Sequence, residues 1–127
     1  MHKEIIHSDQ APKAIGPYSQ GVRVNQTVYL SGQIPLNPVT MELVTDSFES
    51  QAVQVFDNIT AVAKSAGATL DNIVNMTSLL SDMSYFPQLN EGMSRYLKEP
   101  FPARAAFAVK TIPMNADIEI IAILAIE

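Results

Sequence analysis

An α+β architecture is expected from three features of the chain. A β-rich hairpin lies near the N-terminus, two amphipathic helical segments flank a central strand, and the last quarter holds two long apolar β runs. Helices with a single apolar stripe cover one face of a sheet, so they are expected on one side only. The 127 residues predict one domain over 1–127, long enough to bury about two thirds of the unfolded surface.

The elements follow in order. Glu4 to His7 is a short strand, and Asp9 and Pro12 make Ser8 to Lys13 a loop. In Ile15-Gly16-Pro17-Tyr18-Ser19-Gln20-Gly21 the proline restricts φ and the glycines admit unusual angles, so Tyr18 sits in a constrained segment, either a binding loop or a tight turn. Val22 to Ser31 reads as a hairpin around Asn25-Gln26. Ser31-Gly32 ends its second strand, where a hydroxyl and an unhindered N–H can point at a ligand or simply close a turn. Pro35 to Pro38 opens a loop that runs to about Thr45.

Asp46 and Glu49 resemble a capping box before Phe48, Ala52, Val55, Ile59, Val62 and Ala66, which recur at helical spacing until Gly67 stops them. Gln51, Gln54, Asp57, Asn58 and Lys64 are assigned to the outer face of this helix. Ile73 to Ser81 is strand-like, and the next helix, capped by Ser84 with Pro87 in its first turn, leads through a right-handed crossover to another strand. Phe86, Leu89, Met93 and Leu97 form its inner stripe, Asn90 lies at the border, and Lys98-Glu99-Pro100 ends it. Gly92 weakens it by about 1 kcal/mol relative to alanine.

The run Pro102 to Val109 carries a guanidinium in its middle. As a strand it puts Arg104, Ala106 and Ala108 on one face and Ala103, Ala105, Phe107 and Val109 on the other. A planar cation among methyl-sized neighbours is either an anion pocket or half of a structural ion pair. A turn at Ile112 to Asn115 then leads into Asp117 to Ile126, a strand apolar on both faces from Ile120 onward, whose second face calls for cover by another subunit. A short connection between the last two strands predicts that they are hairpin neighbours, with Arg104 and Glu119 close together.

Composition excludes several classes. A net charge of -5 with eight scattered Lys and Arg opposes phosphate-backbone binding. The absence of cysteine removes thiolate and disulfide chemistry. His2 and His7 lack further spaced ligands, so no metal is expected, and no serine has a histidine base. No signal-type apolar region or membrane span is visible, which predicts a cytoplasmic protein; the apolar fraction of 47% hints at surface hidden in an oligomer.

Gly16-Pro17-Tyr18-Ser19-Gln20, Ser31-Gly32-Gln33-Ile34-Pro35, Asn90, Pro102-Ala103-Arg104 and Ile118-Glu119-Ile120 stand in the order and spacing of the RidA (YjgF) family, also known as endoribonuclease L-PSP, which the chain resembles over essentially its whole length. The resemblance implies a chorismate-mutase-like α+β fold, with a six-stranded mixed sheet and two helices on one face, forming a homotrimer with sites between subunits. It implies hydrolysis of 2-iminobutanoate and 2-iminopropanoate, products of pyridoxal-phosphate enzymes, to 2-oxo acids and ammonia without a cofactor. Arg104 would clamp the substrate carboxylate and Glu119 would position or activate water. Tyr18, Ser31, the Gly32 backbone and Asn90 would shape the pocket, and the Ala106 carbonyl would help hold water or the imine nitrogen. Two positions depart from the family: many members have cysteine at Ala106, and an acidic residue often stands at Ile121. An endoribonuclease or translation inhibitor, and a non-catalytic trimer that binds small carboxylates, are the competing readings.

Overall fold

The computed structural model describes residues 1–127. Its strands are β1 (Glu4–Ile6), β2 (Gly21–Val24), β3 (Thr27–Leu30), β4 (Ile73–Leu80), β5 (Ala103–Ala108) and β6 (Ile118–Ala125); its helices are α1 (Phe48–Ser65) and α2 (Phe86–Tyr96). The six strands form one mixed sheet in the order β1-β2-β3-β6-β4-β5, with only the β4–β5 pair parallel. The six-stranded mixed sheet and the two helices are as the resemblance implies.

Turn and capping chemistry set the boundaries. The β2–β3 hairpin turns at Asn25, which adopts φ 54°, a left-handed angle that asparagine tolerates. Helix α1 is capped by Ser47 rather than Asp46: the Ser47 backbone is extended and its hydroxyl accepts from the Ser50 amide at 3.0 Å. Gly67, at φ 75°, lies just past the end of α1, as the stop signal indicates. Ser84 is not the cap of α2. Asp82 accepts from the Ser84 amide at 2.8 Å and opens a 3-10 turn over Met83–Tyr85, and α2 begins after it with Pro87 in its first turn.

Both helices lie on one face of the sheet. Val28 and Leu30 of β3, Met76 and Leu80 of β4 and Ile118, Ile120 and Leu124 of β6 form one core with Val55, Phe56, Ile59 and Val62 of α1 and Leu89 and Met93 of α2. Phe56 of α1 stacks on Tyr96 of α2 at 4.6 Å between ring centroids, and Phe48 of α1 stacks at 4.5 Å on Tyr85 in the 3-10 turn that precedes α2. Two amides assigned to the outer face of α1 are in fact buried. Gln51 pairs with the Asp117 amide at 2.9 Å, and Asn58 donates to the carbonyls of Ile34 and Leu36 at 3.3 and 3.0 Å. A long loop and a strand end, each with unpaired backbone groups facing the helix, pull these polar side chains inward.

The last two strands are not hairpin neighbours. The parallel crossover through α2 places β5 at the sheet edge beyond β4, and β6 enters on the other side of β4, between it and β3. The connection from 109 to 117 passes the end of β4: Val109 donates to the Leu80 carbonyl and Ser81 to that of Asp117.

The opposite face of the sheet carries no helix and is largely apolar. Ile5, Tyr29, Phe107 and Ile121 on this face are between 37% and 57% exposed. No helix is long and apolar enough to cross a membrane.

Candidate functional site

Sheet register decides which of the expected site residues meet. Arg104 pairs with buried Met76, so its side chain leaves on the helix-covered face; Glu119 alternates with buried Ile118 and Ile120, so it leaves on the bare face, in register with Leu79. The expected proximity of Arg104 and Glu119 is therefore overturned. They sit two strands apart and point through opposite faces of the sheet, which removes the internal ion pair between them.

Arg104 gathers residues of α2. Its Nη1 donates to Asn90 Oδ1 at 2.5 Å, and the guanidinium carbon lies 5.1 Å from the centroid of the Phe86 ring. No carboxylate pairs with Arg104, whose side chain remains exposed. Beside it a cavity of about 280 Å³ is lined by Asn90, Met93, Ser94, Leu97, Phe101 and Pro102. Ala106, two residues along β5 on the same face, is half-buried, and its methyl packs against the core.

Glu119 gathers a different set. Tyr18, Ser31, Gly32, Ile34 and Pro113 line a cleft of about 350 Å³ around it. The geometry begins in the backbone, where Gln33 exchanges both hydrogen bonds with Ile120, at 2.9 and 3.1 Å, and lays Gly32 against β6. A Cβ at position 32 would fall within the Glu119 carboxyl group, so glycine is required for this close approach. Ser31 donates from its amide to the Gln20 carbonyl at 3.0 Å and from its hydroxyl to the Ser19 carbonyl at 2.6 Å, which ties the hairpin end to the Tyr18 loop. The Tyr18 hydroxyl accepts from the Ile15 amide at 3.3 Å and leaves one edge of the ring exposed.

Buried Gln20 anchors this wall. Its Oε1 accepts from the Ser8 amide at 2.7 Å, and its Nε2 donates to the carbonyls of Ser8 and Pro12 at 3.1 and 2.8 Å. The sequence treats Gln20 only as part of a motif; an amide between two loops carries no local signal of its burial.

The two groups differ electrically. Desolvation raises the Glu119 pKa above its ordinary value, and no cation lies near enough to lower it again. Arg104 is a cation whose contacts are all neutral. One chain thus carries a cationic cleft and a separate carboxylate cleft, with Asn90 in the first and Tyr18, Ser31 and Gly32 in the second. No cluster of three or more metal-ligating side chains exists.

Comparison with known proteins yields consistent matches. The family model described as endoribonuclease L-PSP matches residues 8–126. The 2-iminobutanoate/2-iminopropanoate deaminase of Dermatophagoides farinae is 42% identical over 125 residues, 98% of each chain. The crystal structure of RidA from an Antarctic Psychrobacter superposes with a TM-score of 0.94 at 46% identity, covering 97% of this chain and 99% of that one. E. coli TdcF, solved with bound serine, superposes at 0.90 with 34% identity, covering 98% and 99%. With the match spanning nearly every residue and the fold superposing throughout, the chain belongs to the endoribonuclease L-PSP family, in which RidA proteins are found.

Proposed function

We propose that the protein hydrolyses 2-imino acids such as 2-iminobutanoate and 2-iminopropanoate to 2-oxo acids and ammonia. The observation that carries this reading is an exposed arginine held only by neutral groups, which leaves a bidentate donor set for a small carboxylate. A relative 42% identical bears the name of this deaminase. The bound serine of TdcF, itself a small molecule with a carboxylate, agrees with the same recognition.

Arg104 binds the substrate carboxylate and fixes the imine carbon in space. Glu119, whose carboxyl pKa burial raises above its ordinary value, takes a proton from water as the oxygen adds to the C=N carbon. Protonated Glu119 returns that proton to the nitrogen, and as the carbinolamine collapses its hydroxyl gives up its proton to the Glu119 carboxylate, C=O forms and ammonia leaves; one water is consumed. Ser31, the Gly32 amide, Tyr18 and Asn90 polarise the pocket, and the Ala106 carbonyl orients the water or the nitrogen. A protonated imine is already electrophilic, so orientation and one base suffice, and the reaction needs no cofactor.

Because Arg104 and Glu119 diverge within one chain, a complete site joins the Arg104–Asn90 half of one copy to the Tyr18–Ser31–Gly32–Glu119 half of another. A homotrimer built on the bare sheet face, with the chorismate-mutase-like arrangement and three sites at its subunit boundaries, satisfies this requirement and covers the exposed apolar side chains. The cytoplasm is the proposed location.

The test is hydrolysis of 2-iminobutanoate generated in situ by threonine dehydratase. Arg104→Ala should lower kcat/KM by about 100-fold or more, since the carboxylate contact orients the whole substrate. An unchanged rate refutes the mechanism. Carboxylate binding without turnover in the parent protein would favour the non-catalytic reading; RNA cleavage abolished by the same substitution would favour an endoribonuclease.

A further inference from the structure

Two arginines lie at helix α2, Arg95 on it and Arg104 facing it from β5, and they are held in opposite ways. Arg95 donates to the carboxylates of Glu49 and Glu91 at 2.6 and 2.8 Å. Arg104, beside the residue preceding Glu91, is held by an amide oxygen, a thioether and an aromatic face. The thioether belongs to Met93, whose Sδ accepts from Arg104 Nη1 at 3.6 Å while the rest of its side chain is buried. Phe86, Asn90 and Met93 are spaced four and three apart and so lie along one side of α2.

We infer that this side of α2 is an uncharged cradle that fixes the pose of the Arg104 guanidinium by engaging Nη1 alone, with Met93 as a positioning residue. The inference rests on the carboxylate-clamp reading of Arg104 and adds which edge of the cation receives the ligand. A guanidinium has five N–H donors. Asn90 and Met93 engage the two on Nη1, which leaves Nε and Nη2, a parallel pair matched to the two oxygens of a carboxylate. The guanidinium carbon lies over the Phe86 ring, 5.1 Å from its centroid, so the ring bounds the cation on that side. An aspartate at position 90 would hold the arginine as firmly but would neutralise the charge that the ligand needs; an asparagine and a sulfur hold it without doing so. The ligand class that follows is a small monocarboxylate docked side-on at Nε and Nη2, with its apolar portion against Leu97, Phe101 and Pro102 in the adjoining cavity.

The test uses the full-length protein and three readouts: calorimetric binding of 2-oxobutanoate, turnover of 2-iminobutanoate, and side-chain ¹⁵N NMR of the Arg104 guanidinium. The parent should show hindered rotation at Arg104. Met93→Leu, which keeps size and burial but removes the acceptor, should release that rotation, weaken 2-oxobutanoate binding about threefold to tenfold and raise KM with kcat little changed. Asn90→Asp should weaken binding by about 100-fold with an unchanged or higher melting temperature. Freely rotating Arg104 in the parent, an unaltered spectrum in Met93→Leu, or parental affinity in a folded Asn90→Asp would each overturn the cradle. A parent that binds 2-oxobutanoate with hindered Arg104 but does not turn over 2-iminobutanoate would instead refute the deaminase reading and leave the cradle standing.

Discussion

Arg104 and Glu119 occupy one sheet yet point through its opposite faces, two strands across and three residues along from each other, roughly 14 Å between backbones at ordinary strand spacings. Neither can complete the other within one chain. A cation that binds substrate and a carboxylate that activates water must therefore come from different copies if they act on one molecule.

Complementation follows from this geometry. Arg104→Ala and Glu119→Gln should each be inactive alone, and co-expression in equal amounts should restore about one quarter of parental activity, the share of sites that receive both intact halves by random assembly. Hydrolysis of 2-iminobutanoate by the purified mixed oligomer is the measurement. A mixture no more active than its components would refute a shared site.

Glu119 should impose a pH dependence of known sign. Its folded-state pKa lies above the ordinary carboxylate value because burial disfavours the charged form. The folded state therefore holds its proton more tightly than the unfolded state, and Glu119 contributes stability below about pH 4.5 that is lost as pH rises through the raised folded value. Glu119→Gln should melt higher than the parent at neutral pH, by a margin that vanishes in acid. The same titration should make kcat fall as pH drops through the raised value in the parent. Binding of 2-oxobutanoate should survive in Glu119→Gln while turnover is lost. Melting curves and pH–rate profiles of both proteins check these outcomes.

Gly32→Ala should cost about 100-fold in turnover, the scale expected when a catalytic group moves by about 1 Å. The added methyl occupies the space of the Glu119 carboxyl group, whose Cγ alone would stand 3.3 Å away. The carboxylate must turn aside while Arg104 is untouched, so affinity for 2-oxobutanoate should hold better than kcat. Parental kcat in Gly32→Ala would show that Glu119 need not be where it is.

Ser78 offers a test of the core beneath the site. Its hydroxyl is buried without any hydrogen-bond partner, abreast of Ala106 on β5 and Ile120 on β6. An unsatisfied buried hydroxyl costs about 1–3 kcal/mol, so Ser78→Ala should leave stability unchanged or raise it by about 1 kcal/mol. Denaturant unfolding measures it; a loss above about 1 kcal/mol would reveal a bond formed elsewhere, for example in an oligomer.

Much of the molecule is legible from local order. The hairpin at Asn25, the stripe from Phe48 to Val62, the stop at Gly67 and the strand around Arg104 follow from short-range periodicity and turn chemistry, which act within one element. The choice of Ser47 over Asp46 as the cap, by contrast, turns on a backbone angle that neighbouring residues do not encode. The burial of Gln51 and Asn58 depends on carbonyl and amide groups brought from 22 to 66 residues away. Periodicity says that Arg104 alternates with Ala103 and that Glu119 alternates with Ile120; it does not relate the faces of two strands. That relation comes from the α2 crossover, which sends β5 to the sheet edge and admits β6 on the far side of β4. Strand pairing over long separations sets which side chains share a face, and here it divides the two principal residues between two clefts.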